Sequence, residues 1–260
     1  MKKNNIIFSF LLLVSFFYIY LFFKLASYLE FWIIDLQNCY KVMKLNWFLI
    51  EHINIFFYIF LFLVMGFYIT KAVFTFIFSL KKLLEIKRNI FLLKIKQFKN
   101  IIVIDYPSIV AFNFLNKIVL SNKIFKKLNK KERKTIFLHE KGHLNSLDSF
   151  KLFFTDILLT LFPNFLKEKI FRIFVLASEE NADKFATKIV GKKVLADTLL
   201  NVVSLNSSYP LMNNFTQERL KLLLEDKDVK VPKYIWFIYI FFISILLLLV
   251  YYKTCLCGAM

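Results

Sequence analysis

Residues 136–144 read Ile136-Phe137-Leu138-His139-Glu140-Lys141-Gly142-His143-Leu144, a His-Glu-x-x-His motif inside an apolar run that a helix can carry. On a helix, His139 and His143 lie one turn apart and about 40° around the axis, so both imidazoles reach one ion. Glu140 is rotated by about 100°, which sets its carboxylate beside such an ion as a base rather than on it. Lys141 faces nearly opposite, toward solvent. Gly142 returns close to the metal-facing side, where a missing side chain leaves room for substrate or for another helix. With three histidines in 260 residues, composition alone yields this motif on the order of one time in a thousand.

Zinc held by two histidines needs a third protein ligand and an open position for water. The segment Ala177-Ser178-Glu179-Glu180-Asn181-Ala182-Asp183 offers Glu179, with Asp183 one helical turn later on the same face, placed to accept an imidazole N–H and fix its tautomer. Glu180 is the rival ligand, and an ordinary charged helix face is the plain reading of all three acids. The remaining histidine, His52, stands at the end of an apolar run and reads as an interfacial residue.

Away from the motif the chain is strongly apolar: 58% of residues are hydrophobic and the mean hydropathy is +0.59, so water alone is a poor solvent for it. Residues 6–23, 53–70 and 234–252 are each long enough to cross roughly 30 Å of hydrocarbon. The first run exceeds a signal-peptide core, and no small-x-small cleavage site follows it in Lys24-Leu25-Ala26-Ser27. The loop 24–52 carries three lysines, whereas 71–99 carries Lys71, Lys81, Lys82, Lys87, Arg88, Lys94, Lys96 and Lys99. That asymmetry places the N-terminus and the central region in the cytoplasm. The net charge of +18 is therefore read as topology rather than as a nucleic-acid footprint. Cys39, Cys255 and Cys257 match neither a disulfide framework nor a zinc ribbon.

Between the second and third runs, residues 101–106, 109–114 and 117–121 are short and rich in Ile, Val and Phe, which predicts a small sheet of two or three strands. Helical periodicity takes over from about Lys130. Residues 150–177 are apolar but interrupted by Lys151, Asp156, Pro163 and Lys167, which predicts an amphipathic or re-entrant hairpin rather than further spans.

The motif His139 to His143, Asp148 five residues later, and Glu179-x-x-Ala182-Asp183 together resemble the membrane-bound gluzincin peptidases. These comprise the M48 group of CAAX-prenyl-protease and HtpX type and the related M56 group of sensor peptidases. The resemblance covers about residues 105 to 225. It takes in Ala111-Phe112 and Ile118-Val119-Leu120-Ser121, where the family has a strand beside the cleft, and Leu128 and Glu132 leading into the zinc helix. It implies zinc on His139, His143 and Glu179, catalysis by Glu140, and outer support from Asp183 and Asp148. One departure stands out. Where M48 enzymes have a His-Pro pair before an arginine, this chain has Tyr209-Pro210 and then Arg219. The Tyr209 hydroxyl either supplies the same oxyanion hydrogen bond or packs in the core. Arg219 either stabilises the transition state, pairs with Asp183, or is a surface arginine.

The expectation is a mainly α membrane protein, with three transmembrane helices around a zincin-like α+β catalytic domain that contains a small β-sheet. Residues 1–99 form a membrane region with two spans and a basic cytoplasmic segment, 100–232 the peptidase domain, and 233–260 a final span and tail. The function expected is zinc-dependent hydrolysis of membrane or membrane-proximal proteins in a bacterial inner membrane, by a domain facing the cytoplasm. Partners are a protein or peptide substrate and the lipid bilayer, without nucleic acid. A sensor of the M56 kind and an inactive membrane scaffold are the alternatives. An extended substrate is expected to add to the sheet edge at residues 118–121.

Overall fold

The computed structural model describes residues 3–42, 52–205, 213–225, 227–230, 240 and 244. The chain divides into two units, one formed by Met1–Leu11 and Thr75–Lys230 and the other by Leu12–Phe74 and Val231–Met260.

Two long helices, α1 (Lys3–Val42) and α2 (Ile53–Leu93), are apolar and long enough to cross a membrane. Both run well past the apolar stretches that predict them. Residues 24–42 and 71–93 contain neither Gly nor Pro, so nothing stops helix propagation where the charges begin. The 41 residues of α2 extend about 60 Å at 1.5 Å per residue, roughly twice the hydrocarbon thickness.

In the Leu12–Phe74 part, Leu21, Leu25 and Trp32 of α1 pack against Ile55, Tyr58 and Met65 of α2. The Trp32 and Tyr58 rings stack 5.2 Å apart, and Phe22 stacks on Phe62 at 4.8 Å. The outer faces are also apolar: Leu13, Phe16, Phe60, Leu63 and Phe67 are all exposed. Only 17% of the most apolar window of α2 is buried, so most of its apolar surface is left uncovered by the described residues. The run expected at 234–252 lies almost wholly outside the described residues.

In the other unit, four strands form a mixed sheet in the order β1-β2-β4-β3, from β1 (Lys94–Phe98), β2 (Ile101–Ile104), β3 (Ala111–Phe114) and β4 (Lys117–Ser121). β2 and β4 run parallel, and the outer strands pair antiparallel. Period-two alternation sorts the side chains. Ile102, Ile104 and Val119 pack with Ile90 of α2, while Ile118 and Leu120 face the opposite way, against Ile124, Leu128 and Ile136.

The sequence expectation of an edge at 118–121 is corrected here: β4 is paired on both sides, and β3 is the edge. Ile118 donates its N–H to Asn100 on one side, whereas the Ser121 N–H goes to Val110 on the other. Phe112, opposite Val119, therefore bonds inward, and strand alternation turns the backbone groups of Ala111 and Asn113 outward, where the Asn113 carbonyl accepts from the Ser149 hydroxyl.

After the short helix α3 (Asn122–Lys127), α4 (Lys130–Ser146) starts from a complete capping box. Asn129 Oδ1 accepts from the Glu132 N–H and Glu132 Oε2 accepts from the Asn129 N–H, both at 2.9 Å. It ends at Leu147, whose φ of 54° is left-handed, and the chain re-enters helix at once in α5 (Asp148–Leu158).

A 3-10 turn (Leu159–Leu161) and Pro163 lead into α6 (Asn164–Val190), followed by α7 (Lys192–Leu205) and α8 (Asn213–Leu224). The hairpin expected at 150–177 is thus a turn between α5 and α6, but its second arm runs on for several turns. Leu159, Ile170 and Phe174 fill the interior, while Phe150, Leu152 and Phe165 remain exposed.

Candidate metal centre

Helices α4 and α6 make the densest helix pair in this unit, and the reason lies at Gly142. A Cβ there would stand 2.9 Å from Ala182 Cα and 3.2 Å from Ala182 O. The missing side chain lets the two backbones close on each other. That approach brings α6, carrying Glu179 and Asp183 one turn apart, against the histidine face of α4.

Three donors converge at this contact. His139 Nε2 and His143 Nε2 lie 3.1 Å apart. Glu179 spans them, with Oε2 3.4 Å from His139 Nε2 and Oε1 3.4 Å from His143 Nε2. A tetrahedral ion with bonds of about 2.0–2.1 Å sets its ligand atoms about 3.3–3.4 Å apart; each of the three separations is close to that spacing, the two to Glu179 being made by different oxygens of its carboxylate. The three residues form a group able to hold a metal ion. The donor set, two imidazoles and one carboxylate, is the one that catalytic zinc sites use while keeping a further position open.

The far side of each imidazole is also fixed. His139 Nδ1 donates to Asp183 Oδ1 at 2.9 Å and His143 Nδ1 donates to Asp148 Oδ2 at 2.9 Å. With both Nδ1 atoms committed to carboxylates, both Nε2 atoms are left to face Glu179. Asp148 owes its place to the left-handed residue Leu147. An unbroken helix would carry residue 148 about 140° around the axis from His143.

Arg219, on α8, is half-buried in the same cluster. Its guanidinium makes a forked contact with Asp183, at 2.7 and 3.0 Å, and Nη1 reaches Glu179 Oε2 at 2.9 Å. It is bound to the acids behind the histidines, so Glu179 and Asp183 are held by one cation. Glu180 turns away from the donors. It pairs with Lys3 at 3.2 Å and Lys184 at 2.5 Å, and accepts the Val229 N–H at 3.0 Å.

Glu140 is 7% exposed. Asn113 of the edge strand donates one amide to both its backbone carbonyl, at 2.8 Å, and its Oε2, at 2.9 Å. The β3 edge and the base are thereby locked to each other, and the Asn113 carbonyl in turn accepts from the Ser149 hydroxyl at 3.1 Å.

The electrostatics follow from burial and proximity. Burial pushes the Glu140 pKa up, against the opposing pull of His139 and His143. Burial would also raise that of Glu179, but the Arg219 guanidinium and the two imidazoles hold it well below the usual carboxylate range. Asp183 is lowered in the same way, with Arg219 and His139 overcoming its burial. Burial acts to lower the His143 pKa, yet its hydrogen bonds to Asp148 and Glu179 outweigh this and carry it up to about 10. The cluster thus keeps Glu179 and Asp183 charged where the Nε2 atoms meet.

The fold therefore brings His139, Glu140, His143, Glu179, Asp183, Asp148 and Arg219 into one cluster. Tyr209 lies outside the described residues. Sequence reasoning missed Asn113, whose contact with Glu140 depends on a strand edge meeting a helix and leaves no local pattern. It also missed Asn4, a buried residue 144 positions before the Asp148 it touches.

Residues 82–209 match the model of peptidase family M48. This lies on the M48 side of the resemblance; kinship with the M56 group is not shown. No curated protein matches the chain.

Proposed function

Since the chain carries a peptidase family M48 domain over residues 82–209, we propose that it is a zinc-dependent endopeptidase of membrane and membrane-proximal proteins. The observation that carries this reading is the convergence of His139 Nε2 and His143 Nε2, 3.1 Å apart, on the Glu179 carboxylate, which places one oxygen 3.4 Å from each ring nitrogen. Zinc bound there would lower the pKa of a water toward about 7 and polarise a peptide carbonyl.

The protein's own groups do the rest. Glu140, with one carboxylate oxygen held by Asn113, takes the proton of the attacking water and returns it to the departing amine. Asp183 and Asp148 hold the imidazole tautomers. Arg219 keeps Glu179 charged and aimed. An extended segment of substrate adds to the β3 edge through the outward backbone groups of Ala111 and Asn113. Backbone pairing grips a peptide without demanding one sequence, and it delivers the scissile bond beside Glu140.

This reading predicts that the purified full-length protein cleaves an unfolded protein substrate, loses that activity to a zinc chelator, and regains it on zinc addition. Cleavage undiminished after the metal has been stripped would remove zinc from the reaction.

We place the metal centre on the cytoplasmic face of a bacterial inner membrane, with residues 100–232 as the peptidase domain. The lysine asymmetry supports this orientation. So does the contact between Asn4 and Asp148, which sets the start of α1 on the same side as the metal centre. A cytoplasm-dependent reporter fused after Lys230 should be active in cells; a silent fusion, with the same reporter active in a periplasmic control format, would reverse the orientation.

A further inference from the structure

The first described turn of α1 is clamped from several directions. Lys3 pairs with Glu180 at 3.2 Å and Asp228 at 3.3 Å, and Asn5 accepts from Lys151 at 2.6 Å. Between them lies Asn4, with 0% of its surface exposed. Its Nδ2 donates to Asp148 Oδ1 at 2.8 Å, and its Oδ1 accepts from Asn181 Nδ2 at 2.9 Å. The other Asp148 oxygen is the one that holds His143 Nδ1, at 2.9 Å.

A carboxylate accepts only, so the amide must present its nitrogen to Asp148, and the orientation of Asn4 is chemically fixed. The side chain suits the place in a way that others do not. A lysine would bring a positive charge that competes with His143 for the carboxylate. An apolar residue would leave Asp148 Oδ1 buried without its donor, costing the desolvation of that group. An amide supplies a neutral donor and an acceptor that Asn181 satisfies. Asn181 is on α6, so one amide ties Asp148 to the helix that carries Glu179.

We propose that Asn4 is a positioning residue of the metal centre: it fixes Asp148, and through Asp148 the His143 imidazole, making the start of the first apolar helix part of the site. The inference rests on the proposed zinc reading. It implies that removal of the helix start that carries Asn4 would loosen the ion, through the loss of the Asn4 contact to Asp148.

The test is zinc affinity of the full-length protein in lipid nanodiscs, read by competition with a chromophoric chelator. Partners of ligating histidines typically contribute about 10–100-fold in metal affinity. Asn4→Ala is expected to weaken zinc about tenfold, at the low end of that range, while Asn5→Ala leaves it unchanged. In an Asp148→Asn background, Asn4→Ala should add less than about twofold, because its route to His143 is already cut.

Equal affinity in the wild type and Asn4→Ala would overturn the inference. So would a full tenfold effect persisting in the Asp148→Asn background, or an equal loss in Asn5→Ala. If Asn4→Ala does not fold, Asn181→Ala decides: a smaller weakening in the same direction supports the inference, and unchanged affinity overturns it. A wild type that binds no zinc would defeat the functional reading and this inference with it, whereas a wild type with one zinc and an equally tight Asn4→Ala defeats the inference alone.

Discussion

Glu140→Gln is expected to retain bound zinc and to lower peptide hydrolysis by about 10²–10⁴-fold, the usual contribution of a positioned acid–base group. The substitution is nearly isosteric, and the three donor atoms belong to other side chains. Asn113 still finds an acceptor, because the backbone carbonyl of residue 140 lies 2.8 Å from its amide and a glutamine oxygen can replace Oε2. What disappears is a group able to take a proton from water. Metal content by mass spectrometry and turnover on one preparation read the two effects separately. Wild-type turnover in the variant would remove Glu140 from the mechanism, and loss of zinc would make its role structural.

Gly142→Ala is expected to damage both stability and metal binding, although alanine is the better helix former by about 1 kcal/mol. The added Cβ would lie 2.9 Å from Ala182 Cα and 3.2 Å from Phe185 Cβ. The nearest obstacle is backbone, so no flexible side chain can swing aside; α4 and α6 must separate. Overpacking of this kind costs about 1–3 kcal/mol, which exceeds the gain in propensity. The same separation carries Glu179 away from the histidines, and a misplacement of about 1 Å near the reacting groups can cost on the order of 10²-fold in rate. A lowered melting temperature together with weakened zinc is the expected outcome. A variant as stable and as tight as the wild type would show that the helix contact does not set the spacing of the three donors.

The candidate ligands on α4 could be picked out because two histidines four residues apart need only local geometry to meet, and Asn129 with Glu132 marks where that helix starts. Glu179 was legible through its spacing to Asp183. Strands β2 and β4 were legible from their Ile and Val content. β1 was not: all five of its residues are exposed, so its place in the sheet comes from backbone pairing with β2 rather than from apolar burial. Charged residues likewise concealed the lengths of α1 and α2, since hydropathy measures what lipid accepts and not where a helix ends. The second arm of the 150–177 segment read as half of an amphipathic or re-entrant hairpin because its lysines and Glu168 lie in its first turns, ahead of the buried Ile170 and Phe174. The roles of Asn4 and Asn113 depend on which distant elements the fold brings together, and no periodicity records that; of the readings offered for Arg219, the pair with Asp183 is the one the structure shows.

The corner at Leu147 limits how this centre can be borrowed. Because a single left-handed residue swings Asp148 back onto His143, the support for that imidazole is encoded in the number of residues at a bend as much as in the identity of an acid. Grafting the α4 helix alone onto another scaffold would carry both histidines and leave one ring free to rotate. Adding or deleting one residue at the bend would do the same here, with every metal-binding side chain still present.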